Sequence, residues 1–495
     1  MHNNQRSKIE ILKSTTLLGG SSLITILIGM VRTKIVAILL GPNGIGFMSV
    51  LTSLQQIVST ITGLGLNSSG IRQIAFSAST QDDKAISITV KSLRFTVWAT
   101  GGLGFLVMVI GAKLFSQASF KTTEYALSIG FLGFAILFSA ISSGQSSVLQ
   151  GFRRIGDVAK INIIGAISGT IISLPCYYFW GINGIVPSLI VVSLAALGTS
   201  WWFARKVNLV QVPISYSIVK KESQKLIVFG LPLMLSALVA SASNYIARVF
   251  LSREAGLDAV GQFQAAFSLA GVLVNFVLNA MGTDYYPRLT AVSEDNLKMN
   301  EEVNSQTEIA LLLAVPMLAA TVLFMPYAIH LFYSSRFDRA IPILRWALFG
   351  ILGQVISWPM GYIMLAKAKG GWSFFTQVIS YTINIILLVI CYKLIGLPGA
   401  GLAFALLYVW HTGFMSIVAF KLSKFRWNKH NIKLIILSVL LVSTLSIIQI
   451  ITITSMLKNI ISAALFLFII YVYLKKLLHI TGLSFQEILG KLKKR

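Results

Sequence analysis

Apolar runs of roughly 20 residues, the length of helix that crosses a hydrocarbon core, recur along this whole chain. Lipid offers no water to exposed N–H and C=O groups, so a spanning segment must be a helix or part of a closed barrel. Strand-length alternation is absent, which leaves helices. Bounded by charges or Gly/Pro breaks, the runs fall at 12–40, 45–70, 90–112, 124–150, 158–180, 184–205, 225–252, 259–286, 307–333, 341–366, 373–395, 399–421, 434–455 and 459–477. The expectation is an all-α polytopic membrane protein of about 14 transmembrane helices. Charged residues make up only 12% of the 495, about half the soluble norm. The first run is long, has no small-residue cleavage site and continues into the second, so it reads as a membrane helix and not as a removed signal peptide.

The formal net charge of +25 has a topological cause before a nucleic-acid one. If both termini lie on one side, the loops of that side hold thirty of the 41 Lys and Arg, those of the other side seven, and four stay inside spans. Positive charge marks the cytoplasmic side, so both termini of this multi-pass protein are expected there, with the cytoplasmic membrane as its location. The acid-rich stretch "SEDNLKMNEEVNSQTE" at 293–308 reads as a solvated linker. Cys176 and Cys391 sit in apolar spans without His or acidic neighbours, so neither a metal nor a disulfide framework is indicated.

"GIGFMSVLTSLQQIVSTI" (44–61) and "AVGQFQAAFSLAGVLVNF" (259–276) align at an offset of 215, with Gly46 opposite Gly261. The second copy comes six spans after the first, an even number, so the halves are expected to insert in one orientation about a pseudo-two-fold axis along the membrane normal. The expected organisation is an N-terminal six-helix lobe at 1–210, a cytoplasmic linker at 211–225 and a C-terminal six-helix lobe at 226–425. Residues 426–495 then hold an appended hairpin, helices 13 and 14, and a basic cytoplasmic tail.

Arg32, Lys34, Arg248 and Arg345 are the four cations left inside spans. Each would cost roughly 2.5–3.5 kcal/mol at the centre of a lipid-facing helix, which calls for a cavity, a partner or an escape to the surface. Arg32 stands nine residues before Gly41, about 13 Å below the outer helix end and close to mid-membrane. It shares a face with Ser21 and Thr25. Lys34, two positions on, points about 200° away along an apolar face and either lines the site or snorkels.

Further polar stripes follow the same phase. Span two carries Thr52, Gln55, Ser59, Thr62 and Ser69; span seven Ser241, Asn244 and Arg248; span eight Gln264, Ser268, Gly271, Asn275, Asn279 and Gly282. Such spacing also serves ordinary helix–helix contacts. Together, on spans 1, 2, 7 and 8 of two repeats, the stripes suggest one cationic, water-accessible cleft. Arg345, near the outer surface beside Trp346, reads first as an interfacial anchor and second as a substrate contact. Asp284, the one acid within reach of the bilayer interior, and His411 are candidates for ion coupling, although a lone His also serves as a structural hydrogen-bonding group.

Soluble-enzyme chemistry finds no footing. There is no phosphate loop, no His/Cys cluster at metal spacing and no pair of intramembrane carboxylates. The reading is therefore not an enzyme, with no cofactor and no metal, and a secondary transporter or facilitated flippase fits better than a pump. Outer loops of roughly a dozen residues at most leave no room for a polymerase or ligase. Excess Arg favours an anionic cargo, and guanidinium suits pyrophosphate through paired, charge-assisted bonds.

The stretch "STTLLGGSSLITILIGMVRTKIVAILLGPNGIGFMSVLTSLQQIVSTITGLGLNSSGIRQIA" (14–75) resembles the start of the polysaccharide-biosynthesis, or Wzx-type, oligosaccharide (O-antigen) flippases. They share a superfamily with lipid II flippases and multidrug and toxin extruders. The resemblance implies a V-shaped pair of six-helix bundles. By alternating access these would move an undecaprenyl-pyrophosphate-linked oligosaccharide from the cytoplasmic to the outer leaflet for a surface polysaccharide such as lipopolysaccharide. It implies Arg32 and Arg248 at the pyrophosphate, amide and hydroxyl stripes at the sugars, surrounding membrane lipids, and as partners a polysaccharide polymerase and a chain-length regulator. The alternative, a cation-coupled multidrug exporter, is disfavoured by the absence of an acid in the first span.

Overall fold

The computed structural model describes residues 2–80, 82–213, 215–450 and 455–481, with side chains described except at 2–19, 22–23, 273–277, 279–283, 455 and 481. The basic tail expected after the last span lies outside these residues. Among them the chain forms thirteen α-helices and no strand: α1 (His2–Gly63), α2 (Leu66–Ser79), α3 (Asp83–Phe120), α4 (Ala126–Gly151), α5 (Ile155–Trp180), α6 (Ile185–Ala204), α7 (Tyr216–Ala291), α8 (Asn296–Phe332), α9 (Ala340–Ala366), α10 (Gly370–Ile395), α11 (Gly399–Ser423), α12 (Lys429–Ile450) and α13 (Ser455–Thr481). Eleven stretches are long and apolar enough to cross a membrane.

Three of the eleven are interrupted. Ile155–Ala204 holds α5 and α6, joined by a 3₁₀ turn at Gly181–Gly184. Ile24–Gly63 breaks at Gly41 (φ 63°, ψ −171°), and Tyr216–Val272 breaks at Gly256 (φ 81°, ψ 176°). Side chains other than glycine's are strained at such φ values. Pro42 follows the first break, where its fixed φ suits a first helical turn and its missing N–H costs nothing. The two break glycines stand 215 residues apart, the offset of the sequence repeat.

A second glycine pair has the same spacing. A Cβ on Gly46 would overlap the Leu257 carbonyl, and a Cβ on Gly261 would overlap the Pro42 carbonyl. Leu257 is itself 215 positions after Pro42. The two contacts are reciprocal, each helix start resting its glycine on the other's first carbonyl.

Two expectations are corrected. Span two was expected to run to residue 70, but the helix ends at Gly63, and Leu64 and Gly65 take positive φ (48° and 67°) before α2 begins. Gly65 sits backbone to backbone with Gly230 of α7, a packing that a continuous helix would not allow. The 293–308 stretch is not a loop, since α8 starts at Asn296. Asp295 caps it, accepting from the N–H groups of Leu297 (3.0 Å) and Lys298 (3.2 Å). The Lys298 N–H, foremost, holds this exposed carboxyl below the usual carboxylate range.

The chain divides into two compact units, Met1–Gly261 with Phe332–Ser334, and Gln262–Leu331 with Ser335–Arg495. In the first, α4 packs on α3 and α6, and α5 on α1 and α6. In the second, α9 and α10 pack on α11, over a core that includes Met299, Val303, Met360, Ile363, Met415 and Val418. Lipid is as apolar as leucine, so burial alone does not drive helices together in a bilayer, and close packing and hydrogen bonds matter more. Asn304 of α8 shows how α12 is fastened. It accepts from the Asn428 N–H (3.0 Å), donates to the Arg426 carbonyl (3.1 Å) and receives the Asn431 amide at its own carbonyl (2.7 Å).

Candidate functional site

Arg32 projects from the first half of α1, half-buried, into a cavity of about 450 Å³ whose wall includes Thr25, Gly29, Asn162 and Thr170. Asn162, Ala166 and Thr170 follow at steps of four along α5, so one face of that helix forms the opposite wall. Gly169 leaves room for the guanidinium, whose Nη1 is 3.7 Å from where a Cβ would stand. The hydroxyls of Thr25 and Thr170 donate to carbonyls of their own helices, Ser21 and Ala166, each at 2.8 Å. Among the described residues the Arg32 guanidinium has no hydrogen-bond or ion-pair partner, and no carboxylate lines the cavity. Such a site presents donors in a fixed fork to whatever anion enters. Ser21 is buried outside the lining, and Lys34 is half-buried and likewise outside it.

Four members of the span-two stripe, Thr52, Gln55, Ser59 and Thr62, line a second cavity of about 550 Å³. The fifth, Ser69, falls on α2 beyond the break and is buried outside it. Facing the stripe are Ser139 and Ser143 of α4, Asn67 and Ser68 of α2 and Thr100 of α3, with Leu233, Met234 and Ala237 of α7 closing one side. The lining contains neither a charged residue nor an aromatic ring. Amides and hydroxyls at this density suit a neutral, hydroxyl-rich ligand. Sequence reasoning missed the α4 and α5 walls, although Ser139, Ser143 and Ser147 also run at steps of four.

Arg248 and Asn244, one turn apart on α7, are brought together. The Arg248 Nη1 donates to the Asn244 carbonyl (2.9 Å) and Oδ1 (3.3 Å), while Nε donates to Ser49 Oγ on α1 (2.7 Å). Ser49, buried, was not singled out by the stripes. No described contact joins Arg248 to Arg32.

The remaining candidates lie in the second unit. Gln264 Nε2 donates to Ser268 Oγ (2.9 Å), so two stripe members bond each other. The side chains of Asn275, Asn279 and Gly282 lie outside those described. Arg345 is half-buried, its Nε enclosed without a described partner, next to an exposed Trp346. Asp284 is exposed and accepts from Arg288 Nε (2.9 Å), and the same guanidinium reaches Glu302 (2.8 Å) and Gln306 (3.3 Å). The acid is therefore already matched by a cation. His411 Nδ1 lies 3.1 Å from Ser357 Oγ, with its ring against Tyr408. No group of His, Cys, Asp and Glu among the described residues could hold a metal ion.

Residues 11–293 match the sequence profile of the polysaccharide biosynthesis protein family, more than half of the chain. The chain belongs to that family. Within its reach, the lipid III flippase of Escherichia coli (strain K12) is 23% identical over 414 residues, covering 81% of this chain and 96% of the relative. The lipopolysaccharide biosynthesis protein WzxC of the same strain is 21% identical over 401 residues, 79% of this chain and 77% of the relative. Among solved structures, the lipid II flippase MurJ in an inward closed conformation superposes with a TM-score of 0.70 at 13% identity, over 94% of this chain and 99% of that one. An inward-facing multidrug resistance MATE transporter of the MOP superfamily gives 0.66 at 16% identity, over 81% and 96%. The family member thus has the fold of these transporters.

Proposed function

We propose that this chain is a flippase. It translocates an undecaprenyl-pyrophosphate-linked oligosaccharide repeat unit, for O-antigen or a similar surface polysaccharide, from the cytoplasmic to the outer leaflet by alternating access. The observation that carries the reading is Arg32, a cation near mid-membrane that faces a cavity free of carboxylates. There it would hold the pyrophosphate; Arg248, Lys34 and Arg345, which lie outside that lining, are assigned to the substrate as further cations. The neutral cavity beside Gln55 would take sugar hydroxyls, and Asn244 and Asn275 are assigned to the same substrate. Relatives that are a lipid III flippase and a lipopolysaccharide biosynthesis protein support the substrate class.

Counting each side of the three interrupted stretches as a crossing gives fourteen spans, arranged as two six-helix bundles and a hairpin with both termini cytoplasmic. Partners would be a polysaccharide polymerase and a chain-length regulator. Outward movement of about two negative charges across roughly 100 mV, inside negative, gains about 4.6 kcal/mol, so the membrane potential alone could drive export. Flipping of a pyrophosphate-linked glycolipid in proteoliposomes tests the proposal. Arg32→Gln is expected to abolish it and Arg32→Lys to retain a part, while full activity of Arg32→Gln and Arg248→Gln would overturn it.

A further inference from the structure

The chain has no Asp or Glu between Asp338 and Glu487, so the cations of that stretch have no acid near them in sequence. Several gather where α9 passes to α10 and α11 ends. The three-residue connection Lys367–Lys369 borders a cavity of about 580 Å³ whose wall includes Lys369, Trp372 and Phe375. The Lys421 Nζ stands 5.2 Å from the centre of the Trp372 ring, and Lys424 and Arg426 sit over Phe420 at 5.3 and 5.5 Å. Among the described residues neither Lys369 nor Lys421 meets a carboxylate. Trp372 is half-buried and packed against the core of this unit, which fixes the cavity wall.

Apolar surface begins immediately beside the charge. Phe374, Phe375 and Leu365 are exposed at 37%, 51% and 45%. The position lies at the ends of helices that are long and apolar enough to cross a membrane, where a crossing helix meets the bilayer surface. A cavity with one ammonium group in its wall, a second against the Trp372 ring and exposed rings along the adjoining helix fits an amphiphile with an anionic head and an acyl tail. A free anion would leave the rings unused. Basic pockets between spans are also where anionic head groups bind in general. We infer that the Lys369–Trp372–Phe375 cavity, with Lys421, is a binding site for an anionic phospholipid of the surrounding bilayer, separate from the transport route.

Native mass spectrometry of the full chain in detergent tests this, with phosphatidylglycerol and phosphatidylcholine titrated separately. Phosphatidylglycerol is expected to bind in preference, and the double variant Lys369→Gln/Lys421→Gln to weaken it by roughly tenfold or more. Lys475→Gln/Lys476→Gln, which removes the same charge from the end of α13, is expected to leave binding within about twofold, because neither lysine lines the cavity. Equal binding of phosphatidylcholine, an unchanged Lys369→Gln/Lys421→Gln variant, or an equal loss in the α13 variant would each overturn the assignment. Thermal stabilisation by inorganic phosphate alone, as large as by the lipid and lost in Lys369→Gln/Lys421→Gln, would give the site to a free anion instead.

Discussion

Arg248 donates through Nε to Ser49 Oγ at 2.7 Å, a cation of α7 bonded to a buried hydroxyl of α1. A hydrogen bond to a charged group is worth about 1.5–3 kcal/mol. Ser49→Ala is therefore expected to lower the melting temperature of the purified protein, and Ser49→Thr to restore most of it. An unchanged Ser49→Ala melt would mean that Arg248 readily finds another acceptor.

The reciprocal glycines give a sharper stability test. Gly46→Ala and Gly261→Ala each force a methyl against a carbonyl, at a cost of about 1–3 kcal/mol. Gly102→Ala in α3, where a Cβ meets nothing within 4 Å, is expected to be neutral or stabilising by about 0.5–1 kcal/mol. Folded yield in membranes and detergent melting curves compare the three.

Asn304 bonds to Asn428, Arg426 and Asn431 at the base of α12. Asn304→Ala keeps the main-chain acceptor of the Asn431 amide but leaves the Asn428 N–H and the Arg426 carbonyl without this partner, at about 1–3 kcal/mol for each buried one. The loss should be local. Hydrogen exchange in residues 424–433 is expected to accelerate while α3 and α4 keep their protection, and uniform acceleration would show that the network supports the whole fold.

Asp284 is exposed and paired with Arg288, a surface ion pair worth about 0–1 kcal/mol. Asp284→Asn is expected to melt within about 2 °C of the wild type. In proteoliposomes, Asp284→Asn and His411→Gln are expected to keep the response of flipping to an imposed potential and to lose any response to a pH gradient. A pH response undiminished in both variants removes these two residues as coupling sites.

Helical phase read from sequence separated Arg32 from Lys34 and grouped Thr52, Gln55, Ser59 and Thr62, because those relations lie within one helix. It did not identify the residues facing them. Asn162 and Thr170 meet Arg32 only through the packing of α5 on α1, and Ser139 and Ser143 face Gln55 only through the placement of α4. The end of the second span at Gly63 was hidden for the same reason, since Gly65 turns where Gly230 requires it. The Asp284–Arg288 ion pair was within reach of sequence reasoning, since the two residues lie four apart on one helix. The offset of 215 set Gly46 opposite Gly261 in sequence, whereas their rest against the Leu257 and Pro42 carbonyls arises from packing between helices far apart in the chain.

The Gly46 and Gly261 contact has the pattern of an isologous interface, in which one patch meets its own copy. In such an arrangement one glycine and one carbonyl would suffice to build both contacts. Within a single chain the two glycines are separate positions, so a change tolerated at one need not be tolerated at the other. Any difference between the Gly46→Ala and Gly261→Ala effects would therefore measure how far the surroundings of the two contacts depart from equivalence.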